Sequence, residues 1–343
     1  MKKSVEPVKL PPEDDLFCLA DRKCWGSEER VSRDPFTFWQ DGWKRLQKNK
    51  AAIFGLAAIL LILLLAIFGP FFNEYGFDDQ DVRRANLPPK APVLEHLSWF
   101  GFDGIDSRGT DRYEKQDVSG YFWFGTDELG RDLWTRTWEG TRISLYIAFL
   151  AALIDLVIGV AYGSVSAYYG GRVDNIMQRI IEVLTGVPNL IVVILLILIL
   201  KPGIVSITLA MVITGWIGMA RIVRGQILKL KNQEFIMASR ALGAKDHRLI
   251  WKHLIPNTSG PIIITTMFTI PSAIFTEAFL SFIGLGLQPP IASLGTLVND
   301  GYKILRIYPH MMIVSSLVIS IIMVSFNLLG DGLRDALDPK LKK

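Results

Sequence analysis

Cysteine is nearly missing from this chain: 343 residues hold two, Cys18 and Cys24. That excludes a disulfide framework, and with no Cys or His beside them the pair makes a poor zinc site. Two free thiols in a reduced N-terminal tail are the expectation. Histidine is scarce as well, with four residues, His96, His247, His253 and His310. No H-E-x-x-H and no G-x-S-x-G occurs, so an embedded enzyme of either type lacks its signature. A phosphate-cradling G-x-x-x-x-G-K-[ST] is absent too. The formal net charge of +4 is too small to suggest nucleic-acid binding. No cleavable leader is expected, because about fifty polar residues precede the first apolar run.

What the chain has in quantity is apolar sequence. Half of it is hydrophobic and its mean hydropathy is +0.32, which points to an integral membrane protein. The first run, "AAIFGLAAILLILLLAIF" (Ala51–Phe68), holds twelve Leu, Ile or Phe residues and no charge. At roughly −0.5 kcal/mol each these favour insertion by about 6 kcal/mol. Further spans are expected at Ile143–Tyr168, Val187–Leu200, Gly203–Met219, Thr258–Ile283 and Tyr308–Leu329. The third is short, and Ile180–Leu184 would extend it to the ~20 residues a crossing needs. Six spans follow, with a tight "KPG" connection at Lys201–Gly203.

Basic residues set the orientation. Arg30, Arg33, Lys44, Arg45, Lys48 and Lys50 precede the first span, and Arg334, Lys340, Lys342 and Lys343 follow the last. The connection 221–256 carries Arg221, Arg224, Lys229, Lys231, Arg240, Lys245, Arg248 and Lys252. The opposite side shows Lys201 alone and then Lys303 with Arg306. Positive-inside places both termini in the cytoplasm of a multi-pass plasma-membrane protein. The connection 73–142 then lies outside; fourteen acids against nine bases and several turn-formers make it a small external subdomain without a regular period. "DPFTFWQDGWKRLQKNK" spaces Phe36, Trp39, Trp43 and Leu46 as an interfacial amphipathic helix.

One inward connection is too elaborate for a linker. "EFIMASRALGAKDHRLIWKHLIPN" (Glu234–Asn257) reads as a helix to Leu242, a break at Gly243, and a second short helix ended by Pro256. Phe235, Ala238 and Leu242 share a face of the first helix, with Leu249 and Leu254 available to the second. A helix pair lying on the membrane surface follows, either packed beneath the bundle or presented to a cytosolic partner. Two carboxylates fall within spans, Asp155 and Glu277. Each costs on the order of 3 kcal/mol there and so faces either a pathway or a hydrogen-bonding helix. Pro271 loosens the fifth span, as a moving gate or as static packing.

These residues carry a pattern. The inward connection resembles the E-A-A, three residues, G, nine residues, I-x-L-P signature of ABC importer permeases. Ala238, Ser239, Gly243, Ile255 and Pro256 fall in register. Met237 takes the acidic place, Glu234 lies three residues earlier, Ser239 replaces the second alanine and His253 replaces isoleucine. Those departures fit the peptide-importer branch, as do "FGTDELGRDLWTRTWEGTRISL", "GGRVDNIMQRIIEVLTGVP", "TEAFLSFIGLGLQPP" and "GDGLRDALDPKLKK". Over about residues 36–343 the chain is most similar to the second, C-type permease of oligopeptide importers.

The resemblance implies an all-α type I permease fold of six transmembrane helices with cytosolic coupling helices. It divides the chain into a tail (1–50), a first span (51–72), an external connection (73–142), a five-span core (143–333) with the coupling loop 225–257, and a tail (334–343). It implies oligopeptide import, with dipeptide, glutathione or nickel permeases as alternatives. Coupling would run through Glu234, Ala238, Ser239, Arg240, Gly243, Ala244, Lys245, Arg248, His253 and Pro256, the basic residues pairing with partner acids. Asp155, Glu277 and Pro271 are pathway candidates. No cofactor or metal is expected in this chain, and ATP and Mg would sit on two cytosolic ATP-binding subunits. A homologous permease, an extracellular or periplasmic peptide-binding protein and membrane lipids complete the partners. An ion-coupled secondary transporter is the reading from another class. Sensitivity to a proton or sodium gradient would support it, and it gives the inward helix pair no partner.

Overall fold

The computed structural model describes residues 38–92, 102–106 and 109–337. Cys18, Cys24, Phe36, His96 and the tail residues Lys340, Lys342 and Lys343 lie outside them, with the expectations attached to them. Residues 1–41 and 42–343 form two units. Of the first, only the opening turn of α1 (Phe38–Leu46) is described.

Among the described residues the second unit is built of helices and loops, with isolated bridges such as Lys90 with Asp103 in place of strands. Asn49 caps α2 (Lys50–Phe68), its side-chain oxygen accepting from the backbone N–H of Ala51 and Ala52 at 3.1 and 3.2 Å. This helix is apolar all round. Phe54 and Leu61 stay exposed while Ile59 and Ile62 pack inward, as in a span with one face to lipid.

Among the described residues five helices are long and apolar enough to cross a membrane: Lys50–Phe72, Leu133–Tyr169, Ile204–Leu230, Ser259–Phe282 and His310–Leu337. A sixth crossing requires α5 (Gly171–Gly186) and α6 (Asn189–Leu200) together, and they are bent by 77°. This corrects the expected third span: Ile180–Leu184 does not prolong α6, because the chain breaks at Val187–Pro188. A proline pushes the residue before it out of the helical region, and Val187 is extended (φ −91°, ψ 121°). The tight "KPG" turn holds, with α6 ending at Leu200 and α7 (Ile204–Thr214) beginning after Gly203. The fourth span, expected to stop at Met219, continues through α8 (Ile217–Leu230), so Arg221, Arg224 and Lys229 are helical.

The second span starts ten residues earlier than expected. α4 (Leu133–Tyr169) is capped by Asp132, which accepts from the Thr135 N–H at 2.8 Å. It is the central element, packed against α8, α12 (Ser259–Phe282) and α2. Two glycines one turn apart let α8 approach it: a Cβ on Gly159 would meet Met219 Cβ at 2.6 Å, and one on Gly163 would collide with the Ala220 carbonyl. α14 (His310–Leu337) closes the bundle against α2, α12 and α13 (Leu294–Lys303), the last begun by a Ser293–Thr296 capping box.

Candidate functional site

The connection after α8 folds as the sequence pattern predicts up to Gly243, but its second arm passes Pro256 and ends at Asn257, because Pro256 sits in the first turn of a new helical segment, where a missing N–H costs nothing. α9 (Glu234–Ala241) ends at Leu242, Gly243 turns at φ +82°, and α10 (Asp246–Arg248) runs through a π-helical turn (Leu249–Leu254) into α11 (Ile255–Asn257). At that positive φ a side chain strains the backbone, whereas glycine does not.

Its seat is made by Ile236, which lies off the face shared by Phe235, Ala238 and Leu242, and by Leu249 and Leu254 of the second arm. Ile236, Leu249 and Leu254 are fully buried and pack with Ala167, Val223 and Ile227 of α4 and α8. Phe235, Ala238 and Leu242 face away instead, and Leu242 is 89% exposed. Met237 and Trp251 are exposed as well, Met237 on another side of α9, so the charged segment shows apolar side chains on more than one face. Glu234, Arg240, Gly243, Lys245, Arg248 and Pro256 are exposed, and Ser239, Ala244 and His253 partly so. The Ser239 hydroxyl donates to the Phe235 carbonyl at 2.8 Å, and the Asn257 amide donates to the His253 carbonyl at 2.6 Å.

Arg240 is engaged within the chain. Its guanidinium donates to the Tyr168 hydroxyl at 3.3 Å and lies 5.6 Å from that ring's centre, while Tyr168 donates to Asp246 at 2.6 Å. One tyrosine at the end of α4 thereby holds both arms of the helix pair. Arg224 clasps Asp174 through two bonds of 2.7 and 2.6 Å, fixing α8 to the first turn of α5, and Lys231 donates to the Ala167 carbonyl at 2.8 Å. Sequence reading passed over Tyr168; its signal was an aromatic residue ending a long apolar run.

The two intramembrane carboxylates separate. Glu277 is fully buried and accepts from Ser144 of α4 at 2.9 Å and from Ser281 at 2.7 Å. Ser144 in turn accepts from the Leu294 N–H at 3.2 Å, so Glu277 joins α4, α12 and the start of α13 as an internal lock. Asp155 instead lines a cavity of about 340 Å³ bounded by α4, α7, α12 and the start of α6. Pro271 is buried inside an unbroken α12.

The connection 73–132 is built on a buried ionic turn. Asp127 sits five residues before the Asp132 cap of α4. It accepts from the backbone N–H of Leu129 and Arg131 at 2.9 Å each and from Arg131 Nε at 2.7 Å. Arg136 Nε approaches it at 3.5 Å. Asp132 is held by Asn73 and Thr135, and its burial raises its pKa above the usual carboxylate value against those hydrogen bonds. Arg112 donates to Tyr308 at 2.7 Å, tying this connection to the segment before α14.

Comparison with known proteins returns one consistent likeness. Residues 156–343 match the family of binding-protein-dependent transport system inner membrane components, and residues 37–89 match the N-terminal TM domain of oligopeptide transport permease C. The oligopeptide transport system permease protein OppC of Bacillus subtilis is 47% identical, over 93% of this chain and 95% of its own. The dipeptide permease DppC of the same organism is also 47% identical, over 96% and 94%. Escherichia coli OppC is 36% identical over 91% and 94%. Among solved structures, an inward-facing MetNI methionine ABC transporter aligns with a TM-score of 0.50 at 19% identity, covering 59% of this chain and 96% of that one, a likeness of fold.

Proposed function

This chain belongs to the family of binding-protein-dependent transport system inner membrane components, in the branch of the oligopeptide and dipeptide permeases. On that premise we propose that it forms half of the translocation pathway of an ATP-driven peptide importer. Both termini lie in the cytoplasm in this reading, which the basic residues around the inward connections support. The other half of the pathway is a homologous permease. Two cytosolic subunits bind ATP and Mg, and a peptide-binding protein delivers substrate from outside. The chain carries no phosphate loop and performs no hydrolysis itself.

The observation that carries this reading is the seating of the helix pair. Its inner side is bolted to α4 and α8 through Ile236, Leu249, Leu254 and Tyr168, while Phe235 and Leu242 stand exposed on the face of α9 turned away from that seat. A rigid inner seat and an apolar outer knob are what a lever needs: a cleft on an ATPase grips the knob, and its motion passes to α4. Relatives from oligopeptide and dipeptide systems are equally similar, so likeness supports peptides as the class. The test is uptake of a labelled peptide by proteoliposomes holding the whole transporter. Uptake that requires internal or external ATP on the ATPase side, and persists when proton and sodium gradients are collapsed, is the expected result. Uptake driven by a gradient without ATP would overturn the reading.

A further inference from the structure

The Asp155 cavity has a chemistry of its own. At ~1.5 Å per residue, Asp155 lies about 33 Å from the start of α4 and about 21 Å from its end, well inside the membrane-crossing part of the helix. It is 7% exposed, and among the described residues no hydrogen bond or salt bridge engages its carboxylate. The chain makes room for it: a Cβ on Gly215, at the break between α7 and α8, would lie 2.5 Å from Asp155 Oδ1. A carboxylate at such depth is costly unless something meets it there.

The wall opposite is α12. Thr265, Thr269, Ser272 and Thr276 are spaced four, three and four apart, which puts them on one helical face, and all four line the cavity. Three of these hydroxyls donate their single proton to the backbone: Thr265 to the Pro261 carbonyl at 2.8 Å, Thr269 to the Thr265 carbonyl at 3.1 Å, and Thr276 to the Ser272 carbonyl at 2.8 Å. A hydroxyl so committed has only acceptor lone pairs left to offer. The cavity therefore sets a carboxyl group against three hydroxyls with only acceptor lone pairs left, beside the Ser272 hydroxyl and the Asn189 amide, a lining that suits a small cation rich in donors.

We propose that this cavity is a transient intramembrane subsite for the α-ammonium group of a peptide in transit, with Asp155 as its counter-charge and the α12 hydroxyls as further acceptors. The inference rests on the peptide-importer reading. An ammonium has three donors and one positive charge, and every unmodified peptide carries one whatever its sequence. A volume of about 340 Å³ is near the low end of small-molecule sites, which run from ~300 to ~1,000 Å³, so it holds the end of a peptide and not its length. Such a subsite favours peptides as a class without reading their side chains.

The experiment uses the complete transporter in proteoliposomes and a hexapeptide free of Lys and Arg, with a free or an acetylated N-terminus. The ratio of the two uptake rates is compared between wild type and Asp155→Asn, so any selectivity of the binding protein cancels. The expected result is that Asp155→Asn lowers the free-over-acetylated ratio by about tenfold or more, the effect of losing one charge-assisted hydrogen bond. An unchanged ratio, or a wild type that does not discriminate, overturns the subsite while leaving peptide import intact. No ATP-dependent uptake of either peptide by wild type overturns the peptide reading, and the subsite with it. Thr269→Val keeps the charge and deletes one acceptor; it reports independently if Asp155→Asn fails to assemble. A several-fold drop in its ratio is expected, and no drop counts against the proposal. A monovalent metal ion would satisfy the same acceptors, so uptake is repeated with choline replacing sodium. Equal rates are expected; a sodium requirement that Asp155→Asn abolishes assigns the cavity to sodium and overturns the ammonium.

Discussion

Replacing Asp127 by asparagine removes the carboxylate that contacts both Arg131 and Arg136, whose side chains are 7% and 3% exposed. Asparagine can still accept the Leu129 and Arg131 backbone N–H groups through its carbonyl oxygen. Its amide nitrogen, however, is a donor where Arg131 Nε needs an acceptor at 2.7 Å. Two buried guanidinium groups then face each other with their shared counter-charge gone. Removing one partner of a buried ion pair costs about 3–5 kcal/mol, mostly from the charge left unpaired. That shifts the folding equilibrium by roughly two to three and a half decades. Trp134 stacks edge-on with Trp123 and Trp138, at 4.6 and 5.5 Å, within a few residues of the turn. Tryptophan fluorescence in a denaturant titration of the purified protein therefore reports the local loss. Glu182→Gln is the control, because the Arg179–Glu182 pair is 82% and 56% exposed and such pairs contribute about 0–1 kcal/mol. If Asp127→Asn is no more destabilising than Glu182→Gln, the buried ionic turn does not hold this connection together.

Three other changes follow from the same geometry. Tyr168→Phe keeps the ring under Arg240 but removes the bonds to Asp246 and Arg240; it should cost about 1–2 kcal/mol in stability and lower peptide-stimulated ATP hydrolysis by the whole transporter several-fold, and full stimulation would show that Tyr168 is not part of the lever. Gly163→Val drives a side chain into the Ala220 carbonyl and should destabilise by about 1–3 kcal/mol or more in a thermal unfolding assay, so a neutral result would contradict the close α4–α8 contact. Asp132 has its pKa raised by burial, so its contribution is present below the unfolded carboxylate value and is lost as pH rises through the folded one. Acidification from pH 7 toward pH 4 should therefore stabilise wild type relative to Asp132→Asn; a difference independent of pH would refute the shift.

Hydropathy made the spans legible wherever a helix is apolar along its whole length, as in α2. It missed the first ten residues of α4 because Arg136, Glu139 and Arg142 lie there. Those residues become helical once partners from elsewhere satisfy them, Arg136 by the Phe77 carbonyl and Arg142 by the Ala66 and Ile67 carbonyls. The 77° bend was signalled by Val187–Pro188, but an apolar run on both sides conceals direction. Gly243 and the two-helix plan around it were legible from spacing. The buried face was not, since Ile236 and Phe235 are equally apolar and only the groove between α4 and α8 chooses between them. Glu277 and Asp155 look alike in sequence. What separates them is Ser144, 133 residues from Glu277, which no local pattern could bring to it. The row of α12 hydroxyls was legible all along in "TTMFTIPSAIFT", at helical spacing on one face.

The central claim is that the helix pair transmits ATPase motion to α4, and peptide-stimulated ATP hydrolysis by the reconstituted transporter tests it most directly. Gly243→Pro replaces a φ of +82° by one fixed near −65°, which redirects α10 without touching the spans. Arg240→Glu reverses the charge that meets Tyr168. Both variants should assemble with their partners and lose stimulation by peptide. Stimulation equal to wild type in both would contradict the account and leave the helix pair as packing beneath the bundle.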